Sequence, residues 1–167
     1  MDYTPGAMLC AQPDCFSIRR PNSASIGTRA FQMALYVVFE SNLQMLADNP
    51  TLYNMYPDCR DYIASCPVNW DETRVLAAEF GEYTIVARRS GNKWYIGGIT
   101  NETARDIDVK LDFLAEGLSY NATSFTDGIN SSVQAMDYRK ESTRLSRNST
   151  IRIHMVRNGG YAAVLEP

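Results

Sequence analysis

An indole beside two carboxylates, Trp70-Asp71-Glu72, is the segment of this chain whose residue types first suggest sugar chemistry. An aromatic face stacks on a sugar ring, and glycoside hydrolysis needs two carboxyl groups flanking the scissile bond. One protonates the leaving oxygen, and the other attacks or activates water. Adjacent carboxylates usually diverge, however, so the expected roles are structural. Trp70 packs a junction between domains, and Asp71 or Glu72 caps and pairs with Arg74 or a neighbouring strand. Cys10, Cys15, Cys59 and Cys66 have spacings that match no zinc or redox motif, and they are expected as free thiols, with a Cys10–Cys15 bridge as the alternative in an oxidising compartment. His154 lies within the alternating run Ile151-Arg152-Ile153-His154-Met155, which places it on the polar face of a strand. Trp94 and Tyr95 must point to opposite faces of their strand, one into a core and the other exposed or covered by a neighbouring domain. Arg88-Arg89 likewise sends one arginine to each face, as at a sheet edge or a domain contact.

Composition narrows the function classes. A chain of 167 residues, 45% hydrophobic and 21% charged, builds one ordinary globular domain or a small domain with an appendage. A net charge of -3 supplies no basic field for nucleic acid. No apolar run reaches the length of a membrane span, and the first residues lack the layout of a signal peptide. Neither nucleic acid nor membrane is an expected partner, and no residue cluster predicts a metal site.

The elements that must position these residues fall into two halves, with a break predicted at 79–81. Residues 1–27 carry Pro5, Pro13 and Pro21 and read as an irregular entry. One long helix is predicted from Thr28, its N-cap, to Ala47, stopped by Asn49-Pro50. Between Ala30 and Phe39 its only polar side chain, apart from the Tyr36 hydroxyl, is Gln32, so burial on several sides is expected. A shorter helix follows Pro57, capped by Asp58 and ending before Pro67. Seven strands follow at 82–89, 93–100, 106–113, 120–126, 137–145, 150–156 and 161–166. Ser90-Gly91-Asn92, Asp127-Gly128 and Asn158-Gly159-Gly160 mark turns between them. This spacing predicts an antiparallel β-sandwich or open barrel. Asn-x-Ser/Thr acceptors at Asn101, Asn121, Asn130 and Asn148 matter only in a glycosylating compartment.

Four segments, in order, are similar to glycoside hydrolase family 97. Met1-Asp2-Tyr3-Thr4-Pro5-Gly6-Ala7-Met8 resembles the end of the last strand of that family's catalytic (β/α)8 barrel. Glu40-Ser41-Asn42-Leu43-Gln44-Met45-Leu46-Ala47-Asp48 resembles its closing barrel helix, and Val68-Asn69-Trp70-Asp71-Glu72-Thr73-Arg74-Val75-Leu76 the junction that follows. Ala87 to Asn101 resembles the first hairpin of its C-terminal β domain, and Asp112-Phe113-Leu114 and Asp127-Gly128 fit as well.

The resemblance implies an α+β fragment: residues 1–79 as the helical end of the catalytic barrel and 80–167 as an antiparallel β-sandwich. It implies that the complete enzyme is an exo-acting α-glycosidase, inverting on α-glucosides or retaining on α-galactosides, with oligosaccharide substrates. It also implies calcium in the active site of the complete enzyme, and a periplasmic or secreted location. The family's catalytic and calcium-binding carboxylates come from segments upstream of Asp-Tyr-Thr-Pro-Gly, so no catalytic residue and no cofactor is expected in this fragment. Asp2 and Tyr3 would lie at the barrel mouth, where they could support the substrate pocket; alternatively Asp2 caps a turn before Pro5. The competing expectation is a stand-alone carbohydrate-binding or structural β-sandwich. Without barrel strands, Phe31, Met33, Leu35, Val37, Val38 and Phe39 point in too many directions for one sheet to cover. Self-association through this helix is therefore expected, as a two-fold dimer, with the β domain alone monomeric.

Overall fold

The computed structural model describes residues 3–18 and 24–167. Two short strands, β1 (Cys10–Ala11) and β2 (Ser25–Ile26), pair in parallel around a 3-10 turn at Pro13–Cys15. Three helices follow, α1 (Arg29–Val38), α2 (Pro50–Met55) and α3 (Pro57–Ser65). The rest is strand: β3 (Glu72–Glu79), β4 (Tyr83–Ser90), β5 (Lys93–Thr100), β6 (Arg105–Lys110), β7 (Ser119–Asp127), β8 (Tyr138–Ser146), β9 (Thr150–Met155) and β10 (Gly160–Glu166). No described helix is long and apolar enough to cross a membrane.

A six-stranded antiparallel sheet, in the order β3-β4-β5-β10-β7-β8, forms the middle layer. Strands β6 and β9 form a second, two-stranded antiparallel sheet over one of its faces. Between the sheets lies the principal core, with Trp94, Ile96, Leu111, Tyr120, Ile153 and Leu165 at its centre. Trp94 meets Phe113 edge-on at 4.7 Å between ring centroids. Helix α1 covers the opposite face of the large sheet, so β5 is buried on both faces and reads as a nearly continuous apolar run. Trp94 and Tyr95 do face opposite ways, yet both are buried, Trp94 between the sheets and Tyr95 under α1.

All seven strands predicted after residue 81 are present, within three residues at each end. One further strand precedes them. Strand β3 pairs with β4 from Glu72↔Arg89 to Glu79↔Tyr83, so the predicted break at 79–81 is only the turn between two strands of one sheet.

The predicted long helix needs a larger correction. Thr28 is its N-cap, with its hydroxyl accepting from Phe31 N at 3.1 Å, but α1 ends at Val38 rather than Ala47. Phe39 has extended backbone, and Ser41 draws Leu43 N onto its own hydroxyl at 3.3 Å, a local bond that competes with helix. Glu40 to Asp48 is therefore not the closing helix that the resemblance suggested. It is an irregular segment in which Gln44 forms a parallel bridge to Tyr3. Helix α2 was not foreseen, and α3 is N-capped by Tyr56 rather than Asp58, which sits in its first turn.

The faces of α1 are also covered within the chain. Met33, Ala34, Tyr36 and Val37 are buried at once by the sheet, by residues 3–12 and by α3. Close approach depends on Gly160, where a Cβ would stand 2.4 Å from the Phe31 Cα. Of the six apolar residues expected to need a partner molecule, only Phe39 is exposed and Phe31 half-buried. The physical ground for dimerisation through this helix is removed.

Candidate functional site

The segment from Tyr3 to Gln12 is held by hydrogen bonds between side chains and backbone groups distant in sequence. The Tyr3 hydroxyl donates to Leu35 O at 3.0 Å, and its ring meets Phe39 edge-on at 5.8 Å. Burial pushes that phenol up to about 12. The Tyr36 hydroxyl donates to Pro5 O at 3.0 Å, and Gln32 Oε1 accepts from Gly6 N and Ala7 N at 3.1 and 3.3 Å. The Tyr53 hydroxyl donates to Gly6 O at 2.9 Å, and the Asp48 carboxylate accepts from Met8 N. Arg29 donates from Nε and Nη2 to Met8 O at 3.2 and 2.7 Å, with its guanidinium 3.9 Å from the Tyr56 ring centroid. Gln12 Nε2 completes the series by donating to Ser131 O and Arg157 O at 2.9 and 3.0 Å, in the loops of the β domain.

Sequence dictates much of this. Gln32 and Arg29 are polar groups on a buried helix, and buried polar groups must find partners. The unbonded amides of an irregular segment are such partners. Gly6 permits the arrangement: it has φ 85°, and a Cβ there would stand 2.5 Å from the Tyr36 hydroxyl. Gln32 stands out in the sequence as a polar residue on an apolar helix, but its partners lie 26 and 25 residues away. Nothing in the sequence assigns a role to Arg29, Tyr53 or Asp48, whose partners lie 21, 47 and 40 residues away. Asp2 lies outside the described residues. Tyr3 is present, with its hydroxyl committed to α1 rather than free to meet a ligand.

The junction candidates Trp70, Asp71, Glu72, Arg74 and Arg88 gather around the start of β3 and the β4–β5 hairpin. Trp70 packs edge-on to Tyr95 at 5.3 Å between centroids and under the Arg88 guanidinium at 5.9 Å, between α1 and the sheet. Asp71 accepts from Gly91 N at 2.7 Å. Glu72 accepts from Arg74 Nε at 2.6 Å and Arg89 Nε at 3.2 Å, and these two cations lower its pKa. Both carboxylates are thus occupied in pinning the start of β3 to the β4–β5 hairpin. The Arg88 side chain is buried, donates to Val38 O at 3.3 Å and lies 3.4 Å from Glu40, while Arg89 points to the other face. His154 is exposed, 3.0 Å from Asp106. The thiols of Cys59 and Cys66 are pushed up to about 11 and 12, chiefly by burial, which suits packing rather than nucleophilic chemistry.

A cradle of this kind positions a segment of chain, and comparison with known proteins gives the family. The model of the glycosyl-hydrolase 97 C-terminal domain, described as an oligomerisation domain, matches residues 69–166. The chain belongs to glycoside hydrolase family 97. A retaining alpha-galactosidase of Bacteroides thetaiotaomicron is 44% identical over 162 residues, covering 97% of this chain and 24% of that protein. A probable retaining alpha-galactosidase of Streptomyces bingchenggensis is 34% identical, covering 98% and 23%. A family 97 enzyme of Pseudoalteromonas sp. strain K8, solved in complex with acarbose, superposes with a TM-score of 0.87 at 31% identity, covering 99% of this chain and 26% of its own. The chain thus spans about a quarter of the length of these relatives. The family-97 match begins at Asn69, so β3 falls with the β domain, as the pairing already indicates.

Proposed function

We infer that this chain serves as the C-terminal, non-catalytic portion of an exo-acting α-glycosidase, and specifically of an enzyme that hydrolyses α-galactosides with retention. The 44% identity to a retaining alpha-galactosidase over 97% of the chain carries this reading. Within the complete enzyme, residues 3–12 and α1 would be the final strand and helix of the catalytic barrel. The cradle built by Arg29, Gln32, Tyr36, Asp48 and Tyr53 would hold the end of that strand at the barrel mouth, where the active sites of such barrels lie. Tyr3 and Asp2 would then support the substrate pocket from behind, and Trp70, Asp71, Glu72 and Arg74 would fix the junction to the β domain. The β domain would assemble copies of the enzyme.

The described residues do not fit a calcium site, since no three His, Cys, Asp or Glu side chains converge among them. Calcium in the complete enzyme would rest on upstream carboxylates. A stand-alone carbohydrate-binding module is the weaker reading, because Trp94 and Tyr95 are buried and Trp70 is half-buried against Tyr95 and Arg88.

The test is hydrolysis of an aryl α-galactoside. The chain alone should show none, with or without calcium, whereas the polypeptide extended upstream through a barrel should turn it over and yield the α-anomer first. Turnover by the chain alone, abolished by replacing one of its own carboxylates, would overturn the reading.

A further inference from the structure

Arg88 of the β domain is buried against the last turn of α1, on the sheet face that the helix covers. The sheet fixes its place, in register between Thr73 of β3 and Tyr95 of β5. The guanidinium donates from Nη2 to Val38 O at 3.3 Å, brings Nη1 within 3.4 Å of the Glu40 carboxylate, and has the Trp70 ring 5.9 Å away. A cation at this end of a helix meets the negative end of the dipole and one of its unbonded carbonyls.

Those contacts leave the group incompletely bonded. Its Nε and Nη1 atoms are buried with no hydrogen-bond partner among the described residues, and the Glu40 side chain is largely exposed. A buried cation bonded in this way contributes little to stability, and an apolar side chain of similar length would fill the space at lower cost. The arginine therefore calls for a role beyond holding the fold.

What it holds is the turn on which Tyr3 rests. Leu35 O accepts both from Phe39 N at 3.1 Å, where the helix ends, and from the Tyr3 hydroxyl at 3.0 Å. The Phe39 ring meets the Tyr3 ring edge-on at 5.8 Å, and Phe39 stands between the two residues that Arg88 touches, Val38 and Glu40. Tyr3 itself is within electrostatic reach: burial raises its phenol, the Cys66 thiol adds to the rise and the Arg88 charge opposes it.

Resting on the galactosidase reading given above, we propose that Arg88 is a positioning residue for the reaction. By fixing residues 38–40 it holds Tyr3, and with it the strand end at the barrel mouth, so that the β domain takes part in setting the geometry of the active site. The forked guanidinium suits this task, because one side chain reaches the Val38 carbonyl and the Glu40 carboxylate from different nitrogens.

The test is a double-mutant cycle in the complete enzyme, reading aryl α-galactoside hydrolysis and a thermal melt for Arg88→Met, Arg88→Lys, Tyr3→Phe and the pair Arg88→Met with Tyr3→Phe. The expected kcat of Arg88→Met is lower by roughly tenfold or more at a KM within about twofold, with a smaller loss for Arg88→Lys. Tyr3→Phe should lower kcat as well, and the pair should fall no further than Arg88→Met, since both act through the same turn. A kcat per folded enzyme left unchanged by Arg88→Met, a loss confined to KM, or losses that multiply in the pair overturns the proposal. If Arg88→Met does not fold, Arg88→Lys decides, and an unchanged kcat there overturns it. An unaltered complete enzyme that leaves the galactoside intact overturns the galactosidase reading and this role together, a result that no variant enters.

Discussion

Asp127 shows how one residue can couple the two halves of the chain. Its side chain is buried at the end of β7, with Oδ2 accepting from Val156 N at 2.9 Å and Gly160 N at 3.1 Å, and it is hydrogen-bonded to the Thr28 side chain at the start of α1. Burial outweighs those bonds and raises its pKa from 3.8 to about 6. A carboxyl whose folded pKa lies above its unfolded value favours the fold fully below the unfolded value, and that contribution is lost as pH rises through the folded one. Between about pH 4 and pH 7 the loss should approach roughly 2 to 4 kcal/mol. Asp127→Asn, which cannot ionise, should therefore gain stability relative to the parent as pH rises across that window, read from denaturant midpoints at each pH. A difference independent of pH would show that Asp127 is not titrating there. The sequence marked Asp127-Gly128 only as a turn, because the groups that bury Asp127 come from α1 and from the β9–β10 loop.

At the scale of elements, the strands were legible and the helical half was not, for a physical reason. Most strands in 83–166 announce themselves through side chains that alternate over a few residues, β5 and β10 through short apolar runs, and all through the turn residues that end them, signals that are local. Strand β3 escaped because its bulge breaks the alternation at Leu76. Residues 39–48 escaped because their conformation is set by Tyr3 and Pro5, whose carbonyls accept from Met45 N and Ala47 N at 3.5 and 3.1 Å. Helix α1 was expected to need another molecule because its cover comes from three separate stretches of chain. The cradle around residues 3–8 was the least visible, although Gln32 on an apolar helix was its trace. Removing that side chain should be costly: Gln32→Ala leaves Gly6 N and Ala7 N buried without an acceptor, each loss worth about 1 to 3 kcal/mol. A correspondingly lowered melting temperature is expected in the chain. In the complete enzyme kcat should fall with KM little changed, as the positioning role proposed for the segment requires. An unchanged melting temperature would show that other groups hold the segment.

For the whole molecule, the question is whether the β domain can stand without α1. From the sequence, the sheet domain without the helical half is expected to be monomeric. The structure gives it two buried faces. Val86 and Tyr95 pack with Val37 and Val38, while Phe125 and Ala162 pack with Met33, Ala34 and Tyr36. Deleting residues 1–68 would expose those four sheet residues together, and re-exposing even three large side chains costs roughly 5 to 9 kcal/mol, comparable to the whole stability of an ordinary domain. The deletion also removes Thr28 from Asp127 and Ser65 from the Tyr95 hydroxyl, which donates to its carbonyl at 2.8 Å. Residues 69–167 expressed alone should therefore aggregate or bind a hydrophobic dye strongly, and should melt far below the full chain. Substituting Tyr95→Thr and Phe125→Thr in the isolated piece should restore solubility without restoring the full chain's melting temperature. If residues 69–167 are instead monomeric and melt with the full chain, the helix is an appendage of the β domain and the two-faced core described here is not what stabilises it.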